Sequence, residues 1–198
     1  EEVTHFKITG ITNGALSKSN ISQDVINNND FITFAEGNAG LKFDPYEHYF
    51  GDGFVTIQAA LCESTQCLGG NTVTATITVN SVNDEPSFEY PNVVAVDEDS
   101  GPYEGSWAFG ISVGPDNESE QTPTFTVTGN TSPTLLSGDP IISPSGVLTF
   151  TPANNQYGAT DITVVLTDDG GTANGGDNTY DDQTFTITIN PIADTPNI

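Results

Sequence analysis

The chain has 198 residues and carries 27 Asp and Glu against three Lys and no Arg, a formal net charge of −24. Lys7, Lys18 and Lys42 all lie near the start, and from Phe43 onward there is no fixed positive side chain, which excludes nucleic acid and anionic membrane surfaces as partners and leaves cations. No run reaches the roughly 20 apolar residues of a membrane span, no signal peptide is present and Met is absent, an initiator included, so the chain reads as a piece processed from a longer secreted protein.

Along the chain, helical periodicity is absent and alternation of Thr with β-branched or aromatic residues is pervasive. Phe54 to Leu61, Thr72 to Val79, Ile162 to Thr167 and Thr184 to Ile189 are predicted strands with one buried and one hydroxyl-rich face. Val93 to Val96, Trp107 to Val113, Phe125 to Thr128 and Val147 to Phe150 supply others, punctuated by Gly, Asn, Asp and Pro at the short intervals of a sandwich. The fold class is all-β.

Three echoes divide the chain. TITVNSVNDEP at Thr76 to Pro86 returns as TITINPIADTP at Thr186 to Pro196, Leu41, Phe43, Pro45 and Gly51 repeat as Leu148, Phe150, Pro152 and Gly158, and FKITG at Phe6 to Gly10 matches FTVTG at Phe125 to Gly129. Repeats in one order mark tandem modules, here residues 1–83 and 84–198. In the second module two strands precede FTVTG, whereas FKITG starts at Phe6 and leaves no room for them. The first module therefore reads as lacking its first strands, to be supplied upstream of Glu1 or by another chain, with Glu1 to Thr4 either disordered or completed by a neighbouring copy. The extra residues between FKITG and LKF, including Asn27 to Asp30, read as a long loop.

Carboxylates with no basic partner must face water, raise their pKa values or collect metal ions, and those clustered at strand ends favour the last. The two cysteines, Cys62 and Cys67, have no His or second Cys pair for zinc. A local disulfide pinning a hairpin, which fits an oxidising compartment, stands against two reduced thiols.

The strand-plus-junction TITVNSVNDEP, the AVDEDS segment at Ala95 to Ser100, LTFTPANNQYG at Leu148 to Gly158 and VVLTDDGG at Val164 to Gly171 together resemble bacterial cadherin-like tandem modules of large secreted and surface proteins. NDEP looks like the cadherin linker, LTDDG like an acidic loop element of cadherins, and FDPYE like another. The resemblance implies two tandem Greek-key β-sandwiches of the cadherin or immunoglobulin-like kind, strung head to tail with Ca²⁺ at the junctions. Carried over by motif, the first junction draws on Asn83 and Asp84 of the linker, Asp116, Glu118 and Asp168 of the second module, and Asp44 and Glu47 of the first. A second junction draws on Asp97, Glu98, Asp99 and Asp194. Ca²⁺ takes six to eight oxygen ligands in tolerant geometry, so carboxylates and carbonyls from separate loops can complete one shell.

Other motifs carry less. Asp168 to Asp182 holds one imperfect copy of the glycine and aspartate nonapeptide of β-roll proteins, which need stacked copies, so it reads as a mobile acidic hairpin loop. His5 and His48 have no nucleophile context around them, and no larger scaffold builds a cleft for glycosidase carboxylates, so the chain reads as no enzyme. Trp107 on an alternating strand reads as core, with Tyr49 and Phe50 plugging the base of the sandwich; exposed, these rings and Tyr46 and Tyr103 would stack on sugars. The function expected is a calcium-stiffened spacer of a bacterial adhesin or surface protein, extracellular or at the cell surface. Its partners are neighbouring modules of the same or identical chains. The alternative is a calcium-dependent carbohydrate-binding pair acting on polysaccharide.

Overall fold

Alternating β-branched residues place every second side chain on one face, and among the described residues the chain forms 16 strands and one short α-helix. The computed structural model describes residues 2–19 and 24–193. It divides into two units between Ser81 and Val82. The predicted boundary at 83 and 84 falls two residues late, because Asn83 is buried among loops of the second unit.

The first unit comprises β1 (His5–Thr12), β2 (Gly14–Lys18), β3 (Val25–Ile26), β4 (Phe31–Thr33), α1 (Phe34–Ala39), β5 (Leu41–Pro45), β6 (Gly51–Ala60) and β7 (Leu68–Val79). They form a sheet of order β4-β1-β6-β7 and a second of order β3-β2-β5. Ile8, Leu16, Ile26, Ile32 and Val55 make its buried core. The predicted long loop is thus largely structured. Its Asn27 to Asp30 portion is a turn in which Asn27 N–H donates to Asp30 Oδ2 at 2.7 Å, with Asn29 at φ 79. The helix escaped a periodicity search because its six residues are too few to show one; a capping box starts it instead. Thr33 Oγ1 accepts from Glu36 N–H at 3.2 Å while Glu36 Oε2 accepts from Thr33 N–H at 2.7 Å. Lys18 reaches Glu36 at 2.8 Å and Asp24 at 3.0 Å. The Lys18 ammonium, followed by the Thr33 donors, lowers the Glu36 carboxyl to about 2.

Cys62 and Cys67 are joined in a disulfide across the β6–β7 hairpin, where Leu61 N–H donates to Cys67 O at 3.0 Å. Chain-entropy arguments give so short a loop less than the about 3 kcal/mol of a 15-residue loop. The Cys62→Ser/Cys67→Ser variant is therefore expected to keep its β circular-dichroism signal at room temperature. Its melting temperature falls by a few degrees; a variant unfolded at room temperature would refute this.

The second unit comprises β8 (Ser87–Glu89), β9 (Val93–Asp97), β10 (Tyr103–Ser106), β11 (Phe109–Ser112), β12 (Thr124–Asn130), β13 (Ile141–Ile142), β14 (Val147–Phe150), β15 (Gly158–Thr167) and β16 (Thr179–Asn190). The order β12-β15-β16-β9 makes one sheet and β10-β14-β13 faces it, with β11 and β8 pairing beside them. The path leaves the first sheet after β12, enters the other for β13 and β14 and returns at β15, a Greek-key route. Fourteen buried residues fill the space between, among them Trp107, Leu148, Ile162, Leu166, Phe185 and Ile187. The echoing FKITG and FTVTG strands also share a register slip, between Ile8 and Gly10 against β6 and between Val127 and Gly129 against β15.

The predicted strand from Trp107 to Val113 is shortened to β11, Phe109–Ser112, and β10, Tyr103–Ser106, was not expected. Trp107 and Ala108 both donate their N–H groups to Gly146 O, at 2.9 and 3.0 Å, and there the chain passes from β10 to β11 in a different sheet. Trp107 is core as predicted, 1 % exposed and 4.4 Å from the Phe185 ring centroid. Phe50 does not plug anything: it and Tyr46 are exposed, while Tyr49 is half-buried, accepting from Asn13 Nδ2 at 2.7 Å and donating to Asp52 O at 2.8 Å.

Candidate cation site in the upper loops of the second unit

Three segments converge at the end of the second unit where β15 stops and β16 begins. The linker at Asn83 and Asp84 enters there, a 3₁₀ turn spans Asp116–Glu118, and Asp168 follows the last residue of β15. Asp168 is held by its own N–H, donated to Asn178 O at 3.1 Å. Its Oδ1 accepts from Asn83 Nδ2 at 3.0 Å and from Gly170 N–H at 2.9 Å. Its Oδ2 is buried without a hydrogen-bond partner.

Asn83 is the hub. Its Nδ2 also donates to Asp177 O at 2.6 Å, its carbonyl accepts from Asp177 N–H at 3.0 Å, and its Oδ1 accepts from Gln121 Nε2 at 2.7 Å. Gln121 Oε1 is a second buried oxygen without a partner. Glu118 is buried too, and both its carboxylate oxygens accept from Asp84 N–H at 3.2 Å. Glycines permit this approach: a Cβ on Gly176 would stand 2.8 Å from Asn83 N, one on Gly170 would collide with Asn83 Oδ1, and one on Gly114 with Glu118 Oε2.

Glu118 is 5 % exposed and Asp168 6 %, in a unit that contains no Lys, Arg or His. A buried carboxylate without a cation costs several kcal/mol unless it is neutralised or a positive charge joins it. An unpartnered Oδ2 and Oε1 in a cluster of that charge are oxygen donors of the kind a hard cation takes.

The other predicted ligands are distributed differently. Asp116 lies on the same 3₁₀ turn but faces outward, and Asp84 is exposed with its N–H bound to Glu118. Asp97, Glu98 and Asp99 sit at the opposite end of β16, where Asp97 pairs with Asn190. There Glu98 is 5 % exposed and accepts from Ile192 N–H at 2.9 Å, Asp97 Oδ1 accepts from Asn190 Nδ2 at 3.2 Å, and Asp99 Oδ1 accepts from Asn155 N–H at 3.1 Å. In the first unit Asp44 is ion-paired with Lys42 at 2.7 Å, and Glu47 is 89 % exposed, 3.6 Å from His48 Nε2. A basic partner two residues away answers the Asp44 charge, which motif matching overlooked. Asp194 lies outside the described residues. Among the described residues no group of three or more His, Cys, Asp or Glu side chains is gathered for a metal. The cluster instead mixes two carboxylates with the amides of Asn83 and Gln121 and backbone N–H groups.

Gln121 and Gly114 did not stand out in the sequence, whereas Gly170, Gly176 and Asp177 lie in the Asp168 to Asp182 stretch that reads there as a hairpin loop. The doublets in DDGGTANGGDN were a signal for the glycines; nothing local marks Gln121. The segment expected to be a mobile hairpin is anchored, since Asp177 bonds Asn83 in both directions and Asp169 Oδ1 accepts from Thr122 N–H at 2.8 Å.

The fold and these loops define a two-unit, all-β sandwich protein with a carboxylate and amide cluster at one end of its second unit. No family model matches the chain. No curated protein matches it either. Among solved structures it is similar to human mucin-like protocadherin EC1-2, at 12 % identity and a TM-score of 0.45, over 96 % of this chain and 84 % of that one. It is also similar to Escherichia coli alpha-2-macroglobulin activated by porcine elastase, at 11 % identity and a TM-score of 0.28, over 96 % of this chain and 19 % of that one. Likeness at this level leaves the functional reading to the residues themselves.

Proposed function

We propose that the upper loops of the second unit bind Ca²⁺ through Asp168, Glu118, Asn83 and Gln121, and that the chain is a calcium-stiffened module of a bacterial extracellular adhesin or surface protein. The observation that carries this reading is the unpartnered Oδ2 of buried Asp168 in a unit with no Lys, Arg or His. Two carboxylates and two amide oxygens, with water, suit the six to eight oxygens of Ca²⁺ better than the tight octahedron of Mg²⁺. An ion there ties the linker residues Asn83 and Asp84 to the turns that carry Glu118 and Asp168. Neighbouring modules are the partners that such a stiffened linker serves. The test is a calorimetric titration with Ca²⁺ and, separately, Mg²⁺: saturable binding with Kd of about 10⁻⁴ to 10⁻³ M, the range of extracellular modules, is expected for Ca²⁺ alone. Identical melting curves in chelator and in millimolar Ca²⁺ would refute it. Exposed Tyr46 and Phe50 in the first unit favour a second reading, carbohydrate binding, for which retention on insoluble polysaccharide is the assay.

A further inference from the structure

Among the described residues the first unit is open along one side, and the second unit shows what closes that side in its own sandwich. There β9 runs parallel to β16, from Val93 opposite Thr186 to Asp97 opposite Asn190. The chain then crosses to the other sheet, where β10 pairs antiparallel with β14, from Tyr103 opposite Phe150 to Ser106 opposite Val147. One continuous stretch, 93–106, therefore stitches the two sheets together.

By the repeated residues, β7 is the counterpart of β16 and β5 that of β14. Both are edge strands among the described residues, β7 ending the sheet β4-β1-β6-β7 and β5 ending β3-β2-β5. The side chains register the difference. Leu148, Phe150, Ile187 and Ile189 are buried, whereas their counterparts Leu41, Phe43, Ile77 and Val79 are only half-buried. Between them lies a cleft of about 300 Å³ lined by Leu16, Leu41, Phe43, Val55, Ile57 and Ile77. Unpaired backbone groups along β7 and apolar side chains beneath it are the two elements of strand addition: main-chain bonds for affinity and alternate pockets for selectivity.

We propose that this cleft is a docking site for one extended peptide segment with the chemistry of residues 93–106. Two β-branched residues at alternate positions would run parallel to β7, an acidic turn would follow, and an aromatic–acidic–Gly strand would lie antiparallel to β5. Complementarity on the first unit matches that pattern. Asn190 Nδ2 donates to Asp97 Oδ1, and Asn80 repeats Asn190 with its side chain exposed. Tyr103 stacks on Phe150 with centroids 4.8 Å apart, and Phe43 presents the same ring. Glu104 faces Thr149, whose counterpart is the exposed Lys42, so an acidic residue at that place would lie cross-strand from a lysine already ion-paired with Asp44 and share it, a contact with no counterpart in the second unit.

The test adds a synthetic peptide of residues 91–106 to the full chain and follows binding by calorimetry and amide hydrogen exchange. Saturable one-to-one binding is expected, with slowed exchange along residues 76–80 and none of that slowing along 186–190. A peptide carrying Val94→Asp and Val96→Asp should lose more than about tenfold in affinity, which is about 1.4 kcal/mol. A Glu104→Lys peptide should bind more weakly to the natural chain and recover on a Lys42→Glu chain. Absence of exchange protection on β7, or binding indifferent to the two Asp changes, overturns the proposal. So does a concentration-dependent dimer that protects β7 without added peptide, which would make a second copy the occupant.

Discussion

Asp168→Asn is expected to abolish the calcium stabilisation of the second unit while leaving the protein at least as stable as the natural chain in chelator. Asn retains an Oδ1 for the bonds from Asn83 Nδ2 and Gly170 N–H, and it removes a charge that is buried 94 % deep with one oxygen unsatisfied. Without metal, losing that charge relieves a desolvation cost. With metal, the loss is the ligation itself. For a Kd of about 10⁻⁴ to 10⁻³ M, 10 mM Ca²⁺ stabilises the folded state by about 1.4 to 2.7 kcal/mol. Thermal melts of the natural and Asp168→Asn chains, each in chelator and in 10 mM Ca²⁺, should therefore cross over. Asp139→Ala, at an exposed position, should track the natural chain in both. If Asp168→Asn shifts both melts equally, the cluster is a hydrogen-bonding node with no ion. Asp84 donates its backbone N–H to Glu118, a bond that survives truncation of its side chain.

Trp107→Ala should cost the second unit about 3 to 5 kcal/mol, the range for emptying a large aromatic from a packed core. The ring is enclosed by Phe88, Tyr90 and Phe185, with centroids 5.7, 5.1 and 4.4 Å away, and its neighbours Leu148 and Phe150 belong to the facing sheet. Trp107→Phe should cost far less than the Ala variant. It keeps a ring against Phe185 and discards an indole N–H that is buried with no acceptor. Denaturant curves followed by circular dichroism should show the Ala variant losing its later transition while the earlier one holds. The first unit, with five buried core residues against fourteen among the described residues, supplies that earlier transition. Equal midpoints for the Ala and Phe variants would mean that Trp107 is not enclosed as described.

How much of this was legible beforehand differs between fold and site. Strands such as Phe54 to Leu61 and Ile162 to Thr167 could be read because a period of two is imprinted in consecutive residues, and the TITVN and TITIN echoes pointed to two units without any geometry. That Trp107 and Ala108 stand outside any strand could not be read, since it depends on a carbonyl of Gly146 about forty residues away in sequence. Helix α1 was written locally, in the Thr33 and Glu36 capping box, but too briefly for periodicity to show.

The site divides along the same line. Sequence alone determined the all-β class, the division into two units and the excess of carboxylates at strand ends, because each follows from composition or from neighbours a few residues apart. Which carboxylates are buried, and which of their oxygens find no donor, was decided by tertiary structure. Asp168, Glu118 and Glu98 are enclosed while Asp84, Asp97, Asp99 and Asp116 face solvent, although all seven look alike in an acidic motif. Burial depends on packing from distant segments: Gly170 and Gly176 admit Asn83, and Gly114 admits Glu118, only once the fold brings those backbones together.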